Sequence, residues 1–443
     1  MRKFTLLIVI LLAAVTMKAQ LTLNGEYRPR IDFDHGNKTL QTVQNQMFSL
    51  ATSQRARLGI FYKADKYNFG LQIQDVRVWG STPQLVKGDG FLTTVHQAWG
   101  EVLFGENIKL KIGRQELVYD DSRILGNVNW AQQARSHDLA LFKYEKKGSF
   151  KLHFGTAVNQ VQTKAFNTNK NYKSMQFLWF NKSFGDLKLS VLALNNGVDD
   201  VVINGGTNAK PMTTYSQIVG FRPVYKMGKL GFAANFYYQM GKSTGTYYDK
   251  SDKKNYHVGM SAYNLRLEAS YKINDELKAT VGFEMLSGNS ETDTTFESTK
   301  TNNAFSPLYG TNHKFNGWMD YFYVGNHTNN VGLNDAFLML DYKKGKFLAG
   351  AHFHYFMANA DVLDMDEFNS TGKYTAMSSG LGMELDTYVG YKYTKGVLFK
   401  AGVSGMFDSE TLRVVKGNNA AFGASNWSAW VMMVMKPTFL NGK

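Results

Sequence analysis

Cysteine is absent from this 443-residue chain, which excludes disulfide frameworks, thiolate metal sites, iron–sulfur clusters, cysteine nucleophiles and a Cys-anchored lipoprotein. Only 6 prolines occur, too few for a Pro-rich linker or a low-complexity chain. Beyond the first twenty residues no run of roughly 18 apolar residues exists, so no transmembrane helix is expected. The mean hydropathy of −0.31 is likewise too polar for a helical membrane protein, but it does not exclude a membrane β-barrel. What the chain has in quantity is aromatic: 31 Phe, 24 Tyr and 7 Trp, with 41 Gly, which rules out disorder.

The first residues read as an address. Arg2 and Lys3 precede an apolar stretch from Leu6 to Val15, and Ala19 stands before Gln20. This is the layout of a secretory signal, with an apolar core too short to span a membrane. We expect residues 1–19 to be a signal peptide and residues 20–443 the mature domain. Removing them takes away Arg2, Lys3 and Lys18 and lowers the formal charge from +14 to +11.

Period-2 alternation dominates the remainder. Leu277, Ala279, Val281, Phe283 and Met285 alternate with Lys278, Thr280, Gly282 and Glu284; the runs from Phe150, Leu230 and Phe347 behave alike. Successive strand side chains point to opposite faces, so each run has one apolar and one polar or small face. About eighteen such segments occur, a count that tolerates sixteen because 212–226 and 331–343 have mixed parity. The spans are 21–33, 52–64, 67–79, 91–104, 107–118, 137–147, 149–159, 172–184, 187–195, 212–226, 229–240, 260–273, 276–287, 331–343, 346–358, 381–394, 397–409 and 424–436.

Long junctions (34–51, 119–136, 241–259, 288–330, 359–380) alternate with tight ones such as Asp65-Lys66, Gly185-Asp186, Gly228 and Lys344-Gly345. Long loops on one rim and tight turns on the other describe an outer-membrane barrel, which must close because lipid cannot satisfy a sheet edge. The expected fold is therefore all-β: a closed antiparallel transmembrane barrel of about 18 strands, with short periplasmic turns and long extracellular loops. Tyr27, Tyr62, Trp79, Trp99, Tyr144, Trp179, Tyr271 and Tyr391 are expected in its interfacial girdles.

With the apolar parity facing lipid, Glu26, Arg28, Arg30 and Asp32 of the first strand face the lumen, as do Arg55 and Arg57 of the second. Arg266, Glu268 and Lys272, then Glu384, Asp386 and Lys392, do so further on. Guanidinium is permanently charged and offers a planar fork for carboxylates, so arginines clustered on a lumen wall suit an anion-selective constriction. The basic charge is spread over alternating strand positions and not gathered on one helix or loop, which argues against nucleic acid.

One stretch is more specific. Gly113-Arg114-Gln115 is followed by Leu117, Tyr119, Asp121, Arg123 and Gly126, then Asn129-Trp130, then Arg135 and Asp138. This order resembles the signature of the alginate export family of outer-membrane proteins, as do Gln72-Ile73-Gln74-Asp75-Val76-Arg77 and Arg57-Leu58-Gly59. The resemblance implies an eighteen-stranded monomeric barrel whose electropositive constriction passes polyuronate chains outward. It places the pore-lining, substrate-binding residues at Arg57, Arg114 and Arg135, with Asp138 as an acidic neighbour and Arg30 and Arg123 as further members. Parity counted from Ile108, Leu110 and Ile112 turns Arg114 toward lipid, which demands a bulge near Gly113 or a place at the outer rim.

The expected function is a passive outer-membrane channel for anionic solutes, anionic polysaccharide or uronate-type saccharides, through an Arg-lined pore. The expected partners are that solute, outer-membrane lipid and periplasmic secretion or polysaccharide-handling proteins. Two other classes are alternatives: a structural or adhesion barrel with a plugged lumen, and a barrel enzyme. For the enzyme, His352 and His354 with Asp361, Asp364 and Asp366 could be imagined as a metal or hydrolytic site, and Asp120-Asp121 as an acid/base pair. No His-x-x-x-His pair or Gly-x-Ser-x-Gly elbow accompanies them, so no catalytic residue, cofactor or metal is expected.

Overall fold

Where apolar residues recur at every second position the chain forms strands, and the strands join edge to edge until no edge is left. The computed structural model describes residues 20–443 apart from 44–45, 86–92, 160–171, 205–207, 250, 252–253, 324, 328–329, 418–424 and 443; the expected signal segment 1–19 thus lies outside the described residues. Eighteen strands make up the wall. They are β1 Gln20–His35, β2 Ser49–Lys63, β3 Tyr67–Val78, β4 Thr93–Phe104, β5 Ile108–Gln115, β6 His137–Glu145, β7 Phe150–Val158, β8 Ser174–Phe184 and β9 Leu187–Asn204. They continue as β10 Asn208–Met227, β11 Leu230–Asp249, β12 Lys254–Lys272, β13 Leu277–Leu286, β14 Leu333–Lys344, β15 Phe347–Met357, β16 Gly380–Thr394, β17 Val397–Asp408 and β18 Asn426–Met435.

Each strand pairs antiparallel with its neighbour in sequence, and β1 closes on β18 through Asp32 opposite Trp430. A short strand, Thr438–Asn441, lies along the start of β1. The molecule is inside out relative to a water-soluble one: Leu58, Phe142, Leu267, Val281 and Val403 are exposed on the outer wall, whereas Arg55, Asn264, Glu284, Glu384 and Ser404 are buried within. Closure leaves no unpaired backbone to face hydrocarbon. At the tight rim the chain reverses through glycines in the left-handed region, such as Gly228 (φ +57) and Gly345 (φ +54).

Two of the connections differ from expectation. The junction expected over 241–259 is mostly strand: β11 runs on to Asp249 and β12 begins at Lys254, with a register shift between Lys242 and Thr246. The β9–β10 hairpin rises in the same way, with Asn204 opposite Asn208. Above the membrane neither face needs to be apolar, so the alternation vanishes from the sequence while backbone pairing continues.

The long-loop half of the lumen is filled. Segments 116–136 and 303–322 fold inward and carry Leu117, Tyr119, Ile124, Leu125, Met319, Tyr321 and Phe322 into an apolar cluster. The wall meets them with inward Met175, Phe177, Leu194, Ile218, Leu333 and Phe356. This explains the mixed parity of β10 and β14, where Ile218 and Phe337 lie inside and Val219 and Leu338 outside. It also corrects two girdle assignments. Trp179 is buried and donates to Asp120, and Trp99 lies under the Lys111 ammonium on the inner face.

Candidate functional site: a constriction made by two infolded loops

The two inward segments first hold each other. Gly126 N–H donates to Tyr309 O (2.9 Å), Thr311 N–H to Ser122 O (2.9 Å) and Val128 N–H to Thr311 Oγ1 (3.0 Å). Of eight non-glycine residues with positive φ among the described residues, seven lie here: Asp120, Ser122, Val128, Ala134, Leu308, Asn316 and Asp320. For β-branched Val128 at φ +49 this conformation is costly, so the surrounding contacts must over-determine it.

Both loops are then pinned to the wall, on chemically opposite sides. Toward β1 and β2 the pins are arginines and the loop supplies carbonyls. Arg28 donates to Asn129 O (2.6 Å), Trp130 O (3.0 Å) and Ala131 O (3.1 Å), and exchanges hydrogen bonds with the Gln132 amide. Arg55, paired with Glu26, donates to Gln132 O at 3.1 Å. Toward β13–β16 the pins are carboxylates and the loop supplies donors. Met319 N–H reaches Glu384 Oε1 (2.8 Å), Trp318 N–H reaches Asp386 Oδ2 (3.2 Å) and the Asn316 amide reaches Glu284 (2.9 Å) and Asp335 (3.1 Å). Desolvated donors and acceptors in this low-dielectric setting must be paired, and most here are.

The residues singled out by sequence fall into three places. Arg30 and Arg57 are on the inner wall, as parity requires. Arg30 donates to Asp32 (2.9 Å) and Trp130 O (3.1 Å), and its guanidinium lies 4.6 Å above the Trp130 ring. Arg57 donates to Gln74 at 2.9 Å and stands 3.8 Å from Glu116; its Nη2 is buried without a hydrogen-bond partner. Arg123 and Arg135 belong to the infolded loop. Arg123 is fully buried, 2.8 Å from Glu284 and 3.1 Å from the Asn316 amide oxygen, and serves the packing of the loops. Arg135 donates to Gly310 O at 3.2 Å, and no ion pair holds it among the described residues. Burial lowers its pKa.

Arg114 and Asp138 stand apart. They pair with each other at 2.8 Å on the parity of exposed Ile112 and Phe142, while Gln115 and His137 beside them are buried inside. Both belong to the outer face at the long-loop rim and not to the lumen. Gly113, at φ +123, keeps its ladder register on both sides, so no bulge turns Arg114 inward; the rim position satisfies it instead.

The adjacent acids Asp120 and Asp121 diverge. Asp120 accepts from Trp179 (3.0 Å) and Ser190 (2.5 Å), and burial pushes its carboxyl above the usual range. Burial opposes ionisation of Asp121 too, but Arg222 at 3.1 Å and the Asn235 amide outweigh it and hold the group low. His352 and His354 go to separate acids, Asp341 and Asp335. Asp364 caps the helix Met365–Thr371, accepting from Asp366 and Glu367 N–H. Sequence reasoning did not recognise Glu284, Asn316, Trp318 or Tyr388 as site residues. One signal was present for the loops: Leu117, Tyr119, Ile124 and Leu125 are too many apolar side chains for a solvated connection.

A closed 18-stranded barrel with a lipid-facing apolar wall, a charged inner wall and infolded loops defines a β-barrel of the bacterial outer membrane. Within that class the chain belongs to the alginate export family, whose profile matches residues 19–420. No curated protein matches the sequence. Among solved structures the chain is similar to OccAB4 of Acinetobacter baumannii (TM-score 0.59, 12% identity, covering 96% of this chain and 99% of that one). It is also similar to OpdL of Pseudomonas aeruginosa (TM-score 0.59, 10% identity, 95% and 99%). A third is OccK2 (OpdF) of Pseudomonas aeruginosa, solved with glucuronate (TM-score 0.57, 11% identity, 96% and 97%). At these identities the likeness is one of fold.

Proposed function

We propose that the protein is a passive channel for anionic saccharides of the uronate type, with Arg30, Arg57 and Arg135 as the residues that meet the solute. The observation that carries this reading is the crowding of Arg28, Arg30, Arg55 and Arg57 on one stretch of inner wall, where the Arg57 Nη2 group is left without an acceptor. A desolvated guanidinium edge is costly unless an anion completes it. Arg135, a loop arginine without an ion pair among the described residues, adds a second positive charge not matched by a carboxylate. Several weak fork-like contacts in series replace part of a carboxylate's hydration without trapping it. That one structural relative was solved with glucuronate fits the same class of solute. No catalytic role is assigned to any residue. Arg114 and Asp138 drop out of the solute path, and Arg123 acts on it only by holding the loops.

The buried apolar cluster of the two loops favours a second reading, a plugged barrel used as a platform. Purified protein in a planar bilayer separates the two. Discrete steps with a reversal potential favouring chloride over potassium support the channel. Replacing Arg57 and Arg135 by Ala lowers that preference; unchanged selectivity in the double variant removes these residues from the path, and a bilayer without steps favours the platform.

A further inference from the structure

Below the pinned loop segment Phe315–Met319, on the side of the tight turns, the inner wall carries a group of rings that the pinning does not use. Trp430 of β18 and Tyr388 of β16 both face inward. Each lies flat on the sheet because its cross-strand neighbour is a glycine. A Cβ on Gly350 would stand 2.2 Å from Tyr388 Cε1, and one on Gly402 would stand 2.6 Å from Trp430 Cζ2. A ring seated on glycine has one face against the backbone and turns the other to the lumen. Trp318 comes down from the loop to join them, 5.8 Å from Tyr388 and 6.4 Å from Trp430 by ring centroids, and Trp130 meets Trp430 at 4.9 Å.

Two polar groups frame the rings. The Lys400 ammonium sits 4.7 Å above the Tyr388 ring and 5.7 Å from that of Trp430, with no hydrogen bond or ion pair among the described residues. Asp341 accepts from the Tyr388 hydroxyl (2.9 Å), lies 3.2 Å from His352 Nε2 and remains partly exposed. Tyr388, Trp318 and Lys400 are half-buried, so each keeps part of its surface open, with the flexible Lys400 side chain as the cover over the outer face of Tyr388. A pyranose ring has an apolar face of C–H groups that stacks on an aromatic plane, and its rim of hydroxyls seeks acceptors such as Asp341. A uronate adds a carboxylate within reach of an ammonium.

We propose that Trp318, Tyr388, Lys400 and Asp341 form a saccharide subsite on the tight-turn side of the constriction, in which the rings stack a sugar and Lys400 selects the acidic one. This rests on the proposed channel reading and adds to it where the solute is held. Tyr388 and Trp318 supply affinity for any hexose, while Lys400 supplies the charge preference.

The test is calorimetric titration of the purified barrel in detergent with trigalacturonate and, separately, maltotriose, since binding is then read without conduction. The wild type is expected to bind trigalacturonate the more tightly. Tyr388→Ala weakens both ligands about tenfold, and Lys400→Gln removes the preference while leaving maltotriose binding as it was. Gly350→Ala, which strips no ring but lifts Tyr388 off the wall, also weakens both. Heat-modifiable migration on gels verifies that each variant is a closed barrel. The proposal is overturned if the wild type binds neither saccharide, or if Tyr388→Ala and Lys400→Gln bind as the wild type does. An anion-selective channel that binds neither saccharide overturns the subsite alone; a barrel that binds both but passes no current overturns the channel alone.

Discussion

Arg123 and Glu284 meet at 2.8 Å with almost no exposure to solvent, one from the infolded loop 116–136 and the other from β13. The same carboxylate accepts from Arg266 (2.9 Å), from the Asn264 amide (2.8 Å) and from Asn316 of the second loop (2.9 Å). One acid thus ties two loops to one wall.

Glu284→Gln is expected to loosen the constriction without opening the barrel. It leaves two buried guanidinium groups short of a counter-charge, and breaking a buried pair from one side costs about 3–5 kcal/mol. Hydrogen exchange should accelerate over residues 309–319 and stay unchanged in the strand ladder; equal protection in variant and wild type would contradict the role given to Glu284.

Arg114→Ala is expected to leave ion selectivity as it is. The pair with Asp138 sits on the outer face, 41% and 61% exposed, where such an ion pair contributes at most about 1 kcal/mol. A shift in reversal potential as large as that of the Arg57 and Arg135 double variant would return Arg114 to the lumen.

Acid is expected to free the second loop. His327 lies 2.9 Å from Gly332 O and edge-on to Phe322, and burial together with the nearby Lys416 ammonium lowers its pKa from 6.5 to about 3. The folded state therefore holds a neutral imidazole across a range in which the released loop binds a proton. Stability is full above pH 6.5 and is lost as pH falls toward 3. Exchange over 319–332, corrected for intrinsic rates, should rise between pH 7 and pH 4, and His327→Gln should flatten that rise.

How much of this could be read from residues alone follows from what each face must satisfy. Lipid demands an apolar outer parity, and so β13 declares itself through Leu277, Ala279, Val281, Phe283 and Met285. Arg28, Arg30, Arg55 and Arg57 are legible for the same reason, since their neighbours of opposite parity are Ile31 and Leu58. The rim position of Arg114 follows from the same counting. Where lipid makes no demand the pattern falls silent, as in the extension of β11 past Lys242, whose backbone pairs without any periodic side chain. The inner face is governed by what folds against it. Trp179 looked like a girdle residue because the loop that brings Asp120 to it was not visible in β8 itself. Glycine under a ring is also invisible in one strand: Gly350 and Tyr388 lie in different strands, and only the register of β15 on β16 joins them.

The bond between Arg123 and Asn316 links positions 193 residues apart, with eight of the eighteen wall strands between them in the chain. Closing so wide a circuit is entropically unfavourable until β6 through β13 are in place to shorten it. The meeting of the two loops is consequently a product of wall formation and not its nucleus: segments so far apart in the chain come within reach of each other only once the strands between them have paired.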